Sequence, residues 1–132
     1  MAGLSEKARA LLDEPNLAFL ATLSADGSPQ VTPVWIDYED GAVLVNTAVG
    51  WAKDRNMRRD PRVAVSLASR DDIYRRLSIR GRVVGFVEGD EAERHLDKLS
   101  KKYTGNDPYQ DRKAGERRVV FRIEPDRIHE RL

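Results

Sequence analysis

The spacing of apolar positions changes character along the chain and marks out the elements in turn. Leu4, Ala8, Leu11 and Leu12 recur at i, i+4, i+7 and i+8 behind Ser5, which predicts a capped amphipathic helix over residues 4–14. Pro15 ends it, because the residue before a proline is pushed out of the helical region. The apolar run Leu17–Leu23 predicts a buried strand, and the Asp26-Gly27 pair after it predicts a hairpin turn. Gln30–Tyr38 reads as the next strand, Val31, Pro33, Trp35 and Asp37 alternating against Thr32, Val34, Ile36 and Tyr38, with Pro33 placing it at a sheet edge or a bulge. Glu39-Asp40-Gly41 turns the chain into a third strand, Ala42–Ala48.

After Gly50 the period lengthens. Trp51–Asp60 is expected to be helical, stopped by Pro61, and Arg62–Ser69 and Tyr74–Glu88 follow as strands. Asp90 and Glu93 have the spacing of a capping box, and Ala92, Leu96, Leu99 and Tyr103 form the apolar face of the helix it opens. Gly105 stops that helix; a polar loop to Gly115 leads to a last strand, Arg117–Ile123. The order α-βββ-α-ββ-α-β is dominated by hairpins. It predicts a mainly β chain with covering helices, an antiparallel barrel forming one domain over residues 1–132.

Composition narrows the chemistry. With 132 residues the chain can build one real core. Its 23 basic and 22 acidic side chains leave a formal charge of +1, which argues against a nucleic-acid coat. There is no cysteine, so disulfides, thiolate catalysis and cysteine–metal sites are ruled out. Only His95 and His129 could supply imidazole; His95 is expected to be a surface group and His129 to lie beyond the last strand, no metal site is expected, and no residue is assigned a catalytic role. The opening residues lack an apolar signal core and no apolar run is long enough to span a membrane, which gives a cytoplasmic expectation.

One stretch concentrates candidate chemistry. Between Asn46 and Arg62 a strand end, the flexible Gly50, a helix N-terminus and a run of cations follow one another. The hydroxyl of Thr47, the ammonium of Lys53 and the guanidinium of Arg55 suit a phosphate, with the positive end of the helix behind them. On an ideal helix Lys53 and Arg55 diverge by about 200°, so they can share one phosphate only at a loop-like first turn. Arginines at i, i+4, such as Arg55 with Arg59, repel, which is unlike a face built only for solubility. The Gln30–Trp35 strand is a second candidate, since an edge leaves backbone groups free to meet a planar heterocycle and Gln30 and Thr32 add side-chain partners. A small barrel is filled by its own side chains, so such a ligand lies in an outer groove that a second subunit could cover.

The segments Ala21-Thr22-Leu23, Asp26-Gly27-Ser28-Pro29-Gln30 and Lys53-Asp54-Arg55-Asn56-Met57-Arg58-Arg59-Asp60-Pro61-Arg62 resemble the pyridoxamine 5'-phosphate oxidase-like superfamily. More narrowly, the chain is similar to its coenzyme F420-dependent, deazaflavin-using reductases. The resemblance implies a split β-barrel of the FMN-binding type and a homodimer with two cofactor sites at the interface. It also implies hydride transfer from reduced F420 to an unsaturated small molecule. An FMN-binding oxidoreductase, or a non-catalytic carrier of either cofactor, is the alternative. By the same resemblance Lys53 and Arg55 hold the cofactor phosphate, with Asn46, Thr47 and Asn56 beside them. Gln30, Val31, Thr32 and Pro33 lie against the ring, and Tyr74 stands near it. Arg117 or Arg118 could reach a polyglutamate tail from the other subunit. Trp51 departs from the pattern, standing where some deazaflavin-binding relatives carry a basic residue.

Overall fold

The computed structural model describes residues 3–132. Three helices and seven strands follow the expected order: α1 Glu6–Asp13, β1 Ala18–Leu23, β2 Pro29–Val34, β3 Ile36–Glu39, β4 Ala42–Ala48, α2 Ala52–Arg59, β5 Arg62–Ala68, β6 Arg76–Glu88, α3 Asp90–Thr104 and β7 Arg118–Arg131. All strand pairs are antiparallel and the sheet order is β2-β1-β5-β6-β7-β4-β3. The two edge strands, β2 and β3, are therefore chain neighbours separated by Trp35 alone. Consecutive residues lie ~3.8 Å apart, so the two edges must meet and the sheet must curl into a barrel. Because β2 and β3 do not pair, that barrel is split along this seam.

The split corrects the reading of residues 30–38 as one strand. Up to Val34 the chain pairs with β1, and from Ile36 it pairs with β4. Trp35 is the corner, stacked on Tyr103 with ring centroids 5.3 Å apart and meeting Tyr109 edge-on at 6.0 Å. The Tyr103 hydroxyl fastens this corner: it accepts from the Ile36 N–H at 3.0 Å and donates to the Asn16 carbonyl at 2.7 Å. Burial raises the Tyr103 phenol to about 12, against a lowering by the Ile36 hydrogen bond.

Inside the barrel, Leu20, Ile36, Val43, Val45, Val65, Leu77, Ile79, Phe121 and Ile123 form the core, and α1 plugs one end with Ala8, Leu11 and Leu12. Ser5 caps α1 as expected, its Oγ accepting from the Ala8 N–H at 3.1 Å. The capping box on α3 does not form. Gly89, at φ 83°, is the N-cap, Asp90 is already helical, and no side chain bonds the cap. Glu93 instead accepts from the Arg118 N–H at 2.9 Å.

The last strand runs eight residues past its expected end at Ile123, through Pro125. Two bulges make this possible: Asp126 is the extra residue on β7 and Val84 the extra one on β6. Pro125, which has no N–H to give, faces Gly81 beside the first bulge, where a missing donor costs least. A Cβ on Gly81 would sit 2.5 Å from the Glu124 carbonyl oxygen and 3.0 Å from Ile123 Cγ2. Gly81→Ala is expected to destabilise the protein by about 1–3 kcal/mol through overpacking, measurable by denaturant unfolding. An unchanged midpoint would show that the β6–β7 pair yields at no cost.

Candidate functional site

The Asn46–Arg62 stretch folds as a strand end, a turn and a helix, but its charges are distributed differently from the sequence expectation. Gly50, at φ 93°, makes the turn. The Asp54 carboxylate reaches back to accept from the Gly50 N–H at 2.8 Å, while the Trp51 and Val49 N–H groups donate to the carbonyls of Ala48 and Arg117. The turn's amides at 49–51 are thus engaged within the protein. The arginines of α2 are structural. Arg58 bonds Asp54 at 2.7 Å and Glu88 at 2.9 Å, and Arg59 bonds Asn56 at 2.8 Å. Arg62, after the helix, pairs with Asp60. Arg55 is exposed and its guanidinium is bonded to the Gly50 carbonyl, away from the pocket that Lys53 enters.

That pocket, of about 340 Å³, opens at the barrel seam. Its apolar wall is Leu17, Pro33, Val34 and, from α3, Leu96 and Leu99; its aromatic wall is Trp35, Trp51 and Tyr109. The polar side is Asn46, Thr47, Lys53 and Arg118. Arg118 was foreseen only as a reach toward the other subunit. It comes to this pocket of its own chain because Arg118 pairs with Ala48 across β4–β7. The Lys53 ammonium and the Arg118 guanidinium both lie over the Trp51 indole, 5.4 Å and 5.5 Å from its centroid, at cation–π range.

Two cations brought together in a half-buried pocket call for an anion. Burial first, and then the neighbouring Arg118 charge, lower the Lys53 ammonium from its ordinary 10.5. Burial likewise lowers Arg118, against the opposing pull of Glu116, 3.5 Å away. Beside them the Thr47 hydroxyl is 1% exposed and has no hydrogen-bond partner. A buried polar atom without a partner costs about 1–3 kcal/mol. The pocket's own donors, one ammonium and one guanidinium, fit a phosphate.

The other sequence-predicted residues fall into three places. Gln30 and Asn56 face the barrel end, where the Asn56 Nδ2 donates to Thr22 Oγ1 at 3.0 Å and to Gln30 Oε1 at 3.3 Å; they tie α2 to β1 and β2. Pro33 and Val31 point outward on β2, level with Phe19 and Ala21 of β1, and Thr32 is half-buried on the opposite face. Leu17, Phe19 and Val31 are exposed at 48%, 46% and 63%, so an apolar strip leads from the pocket across the outer face. Tyr74 lies 72% exposed in the turn before β6, outside the pocket.

His95 is not a surface group. Its side chain is 9% exposed, with Nε2 2.9 Å from the Asp37 carboxylate and Nδ1 3.2 Å from Asn46 Nδ2. Burial of Asp37 would raise its carboxyl, but hydrogen bonds from His95, the Tyr38 N–H and Lys98 outweigh that and hold it well below the usual carboxylate range. His129 lies within β7, paired with Ser78. Among the described residues no cluster of three or more His, Cys, Asp or Glu could hold a metal, and no helix is long and apolar enough to cross a membrane.

Fold and pocket together define a split β-barrel with a cationic pocket at its seam and an apolar ledge beside it. The pyridoxamine 5'-phosphate oxidase family pattern matches residues 4–132, and the chain belongs to that family. It is similar to a solved F420 reductase, at 29% identity and a TM-score of 0.82, over 96% of this chain and 98% of that one. A conserved hypothetical protein of Mycobacterium tuberculosis matches at 29% identity and a TM-score of 0.73, over 95% and 82% of the two chains. A pyridoxamine 5'-phosphate oxidase-type protein of Listeria innocua shares the fold at 20% identity and a TM-score of 0.67, over 92% of each chain.

The depressed lysine gives a pH prediction. Lys53 attracts an anion only while protonated, so affinity for inorganic sulfate, whose charge does not change, is expected to fall as pH rises through a value below 10.5. Lys53→Arg, which stays charged, is expected to hold affinity further into the alkaline range. Identical alkaline limbs for both proteins would remove Lys53 from the pocket's charge.

Proposed function

We propose that this protein is an oxidoreductase that uses coenzyme F420 and transfers a hydride from its reduced form to an unsaturated or conjugated small molecule. The observation that carries the reading is the meeting of Lys53 and Arg118 over Trp51 in one half-buried pocket, two cations that together suit the cofactor's phosphate. Similarity to an F420 reductase over nearly the whole of both chains supports the deazaflavin over a flavin.

In this reading Thr47, Lys53 and Arg118 hold the phosphate, and Trp51 backs the two cations. The outward ledge of Val31 and Pro33 takes the ring, with the edge backbone of β2 available to its polar rim and Thr32 on the same strand. Asn46 orients Arg118, while Gln30 and Asn56 fix α2 against that strand; Arg55 stabilises the Gly50 turn that carries Lys53. Tyr74 is left at the rim, where it could meet the ring only across the outer face. A reduced deazaflavin supplies the hydride when bound. The chain's own contribution is to bind, orient and exclude water, and none of its residues needs to act as acid or nucleophile. The exposed Leu17, Phe19 and Val31 strip leaves the ring half-covered, and a second copy packed on it would complete the site as a homodimer. FMN is the second reading, because the family match does not separate it from F420.

Parallel fluorescence titrations with F420 and FMN test this. F420 is expected to bind more tightly. Lys53→Ala and Arg118→Ala are each expected to weaken binding by roughly 1.5–3 kcal/mol, about 10- to 150-fold. Arg55→Ala is expected to do less. Preference for FMN would move the protein to the flavin reading, and binding of neither cofactor would end the enzyme reading.

A further inference from the structure

The pocket's guanidinium is held by a relay that crosses the sheet. Arg118 Nε donates to Asn46 Oδ1 at 2.9 Å, and Asn46 Nδ2 donates to the Ala92 carbonyl at 2.9 Å. Those two partners settle which end of the Asn46 amide is which, since a guanidinium cannot accept and a carbonyl cannot donate. The remaining Asn46 N–H therefore points at His95 Nδ1, 3.2 Å away, and Nδ1 must be the accepting nitrogen. The imidazole proton then sits on Nε2, facing the Asp37 carboxylate at 2.9 Å, which also accepts from Lys98 at 3.1 Å. Both ring nitrogens are engaged inside the protein, so His95 has none to offer a substrate. The chain Asp37–His95–Asn46–Arg118 spans β3, α3, β4 and β7 and ends in the anion pocket. Its members are buried: Asp37 is 6% exposed, Asn46 8% and Arg118 7%.

We infer that His95 is a positioning residue for the anion pocket. Locked by Asp37 as the Nε2–H tautomer, it fixes the Asn46 amide, and the Asn46 carbonyl oxygen in turn holds the Arg118 guanidinium toward the ligand. Without an acceptor at the Nδ1 position, the Asn46 amide loses one of its two donor contacts. It can then turn its NH₂ toward Arg118, which cannot accept from it. This deepens the proposed function and rests on its anion pocket, but it concerns the set of the guanidinium, not the identity of the cofactor.

The test uses inorganic sulfate as probe, read by intrinsic fluorescence, since both tryptophans of the chain, Trp35 and Trp51, line the pocket. His95→Gln keeps a donor for Asp37 but no acceptor for Asn46, and is expected to weaken sulfate binding about 3- to 10-fold, the scale of one neutral hydrogen bond. His95→Asn places an amide oxygen near the Nδ1 position and is expected to recover most of that loss. In an Arg118→Met background, His95→Gln is expected to have no further effect, whereas a role confined to stability would act equally in both backgrounds. Equal losses in the two backgrounds, or no loss in the native one, would overturn the inference. On the wild-type protein, ¹⁵N NMR of the imidazole is expected to show the Nε2–H tautomer, and an Nδ1–H signal would overturn the relay without any variant having to fold. Failure of wild-type protein to bind sulfate, with that tautomer present, would sink the anion-pocket reading and this inference with it.

Discussion

A single residue, Trp35, joins the two outermost strands of the sheet, and that covalent constraint shapes everything else. A seven-stranded antiparallel sheet could have stayed open; with β2 and β3 tied end to end it cannot. Closure makes an interior that Phe121, Leu20 and the branched residues fill, so no ligand can enter it. It also leaves a seam where the two strands diverge without pairing. Trp35 stands in that seam, braced by Tyr103 and Tyr109 from α3 and the loop beyond it, and the cationic pocket opens beside it. The corner that closes the barrel is thus also one wall of the candidate site.

The charge of the site follows from pairing of a second kind. Most arginines around α2 are matched with carboxylates or carbonyls: Arg58 with Asp54 and Glu88, Arg59 with Asn56 and the Leu23 carbonyl, Arg62 with Asp60. Lys53 faces the pocket with an aromatic face as its neighbour, and Arg118 meets it there from β7, the strand beside β4. A basic stretch that reads as one continuous patch is therefore sorted by the fold into structural and available cations. That sorting, not the number of cations, leaves Lys53 and Arg118 facing one pocket.

Much of the fold was legible because its signals are local. Helix α1, the Asp26-Gly27 turn, the Gly50 turn and the Gly105 stop each depend on residues within one turn of one another. The misreadings came where distant contacts override local chemistry. The last strand reads as ending at Ile123, yet pairing with β6 around a bulge at Asp126 carries β7 on to Arg131. Asp90 reads as a cap, yet the positive φ of Gly89 takes that position. At the site, Thr47 and Lys53 were visible as a hydroxyl and an ammonium flanking a turn. That Arg118 also lines the pocket of its own chain was not legible, because only the β4–β7 register brings it beside Ala48. His95 sits on a helix rich in charge, and nothing in that helix shows that Asp37 and Asn46 lie against it.

The edges of the sheet carry one more consequence. Exposed strand edges invite another chain to add on by backbone pairing, which is how ordered aggregates grow. Here β2 has prolines at positions 29 and 33, each lacking an N–H, and β3 is only four residues long. Neither offers an uninterrupted ladder of donors and acceptors. A partner is turned away from the rims and toward the outer surface of β1 and β2, where side chains, not main chain, decide which shapes fit. The protein can thus leave an apolar surface exposed on β1 and β2 without its sheet edges becoming a template for fibrils.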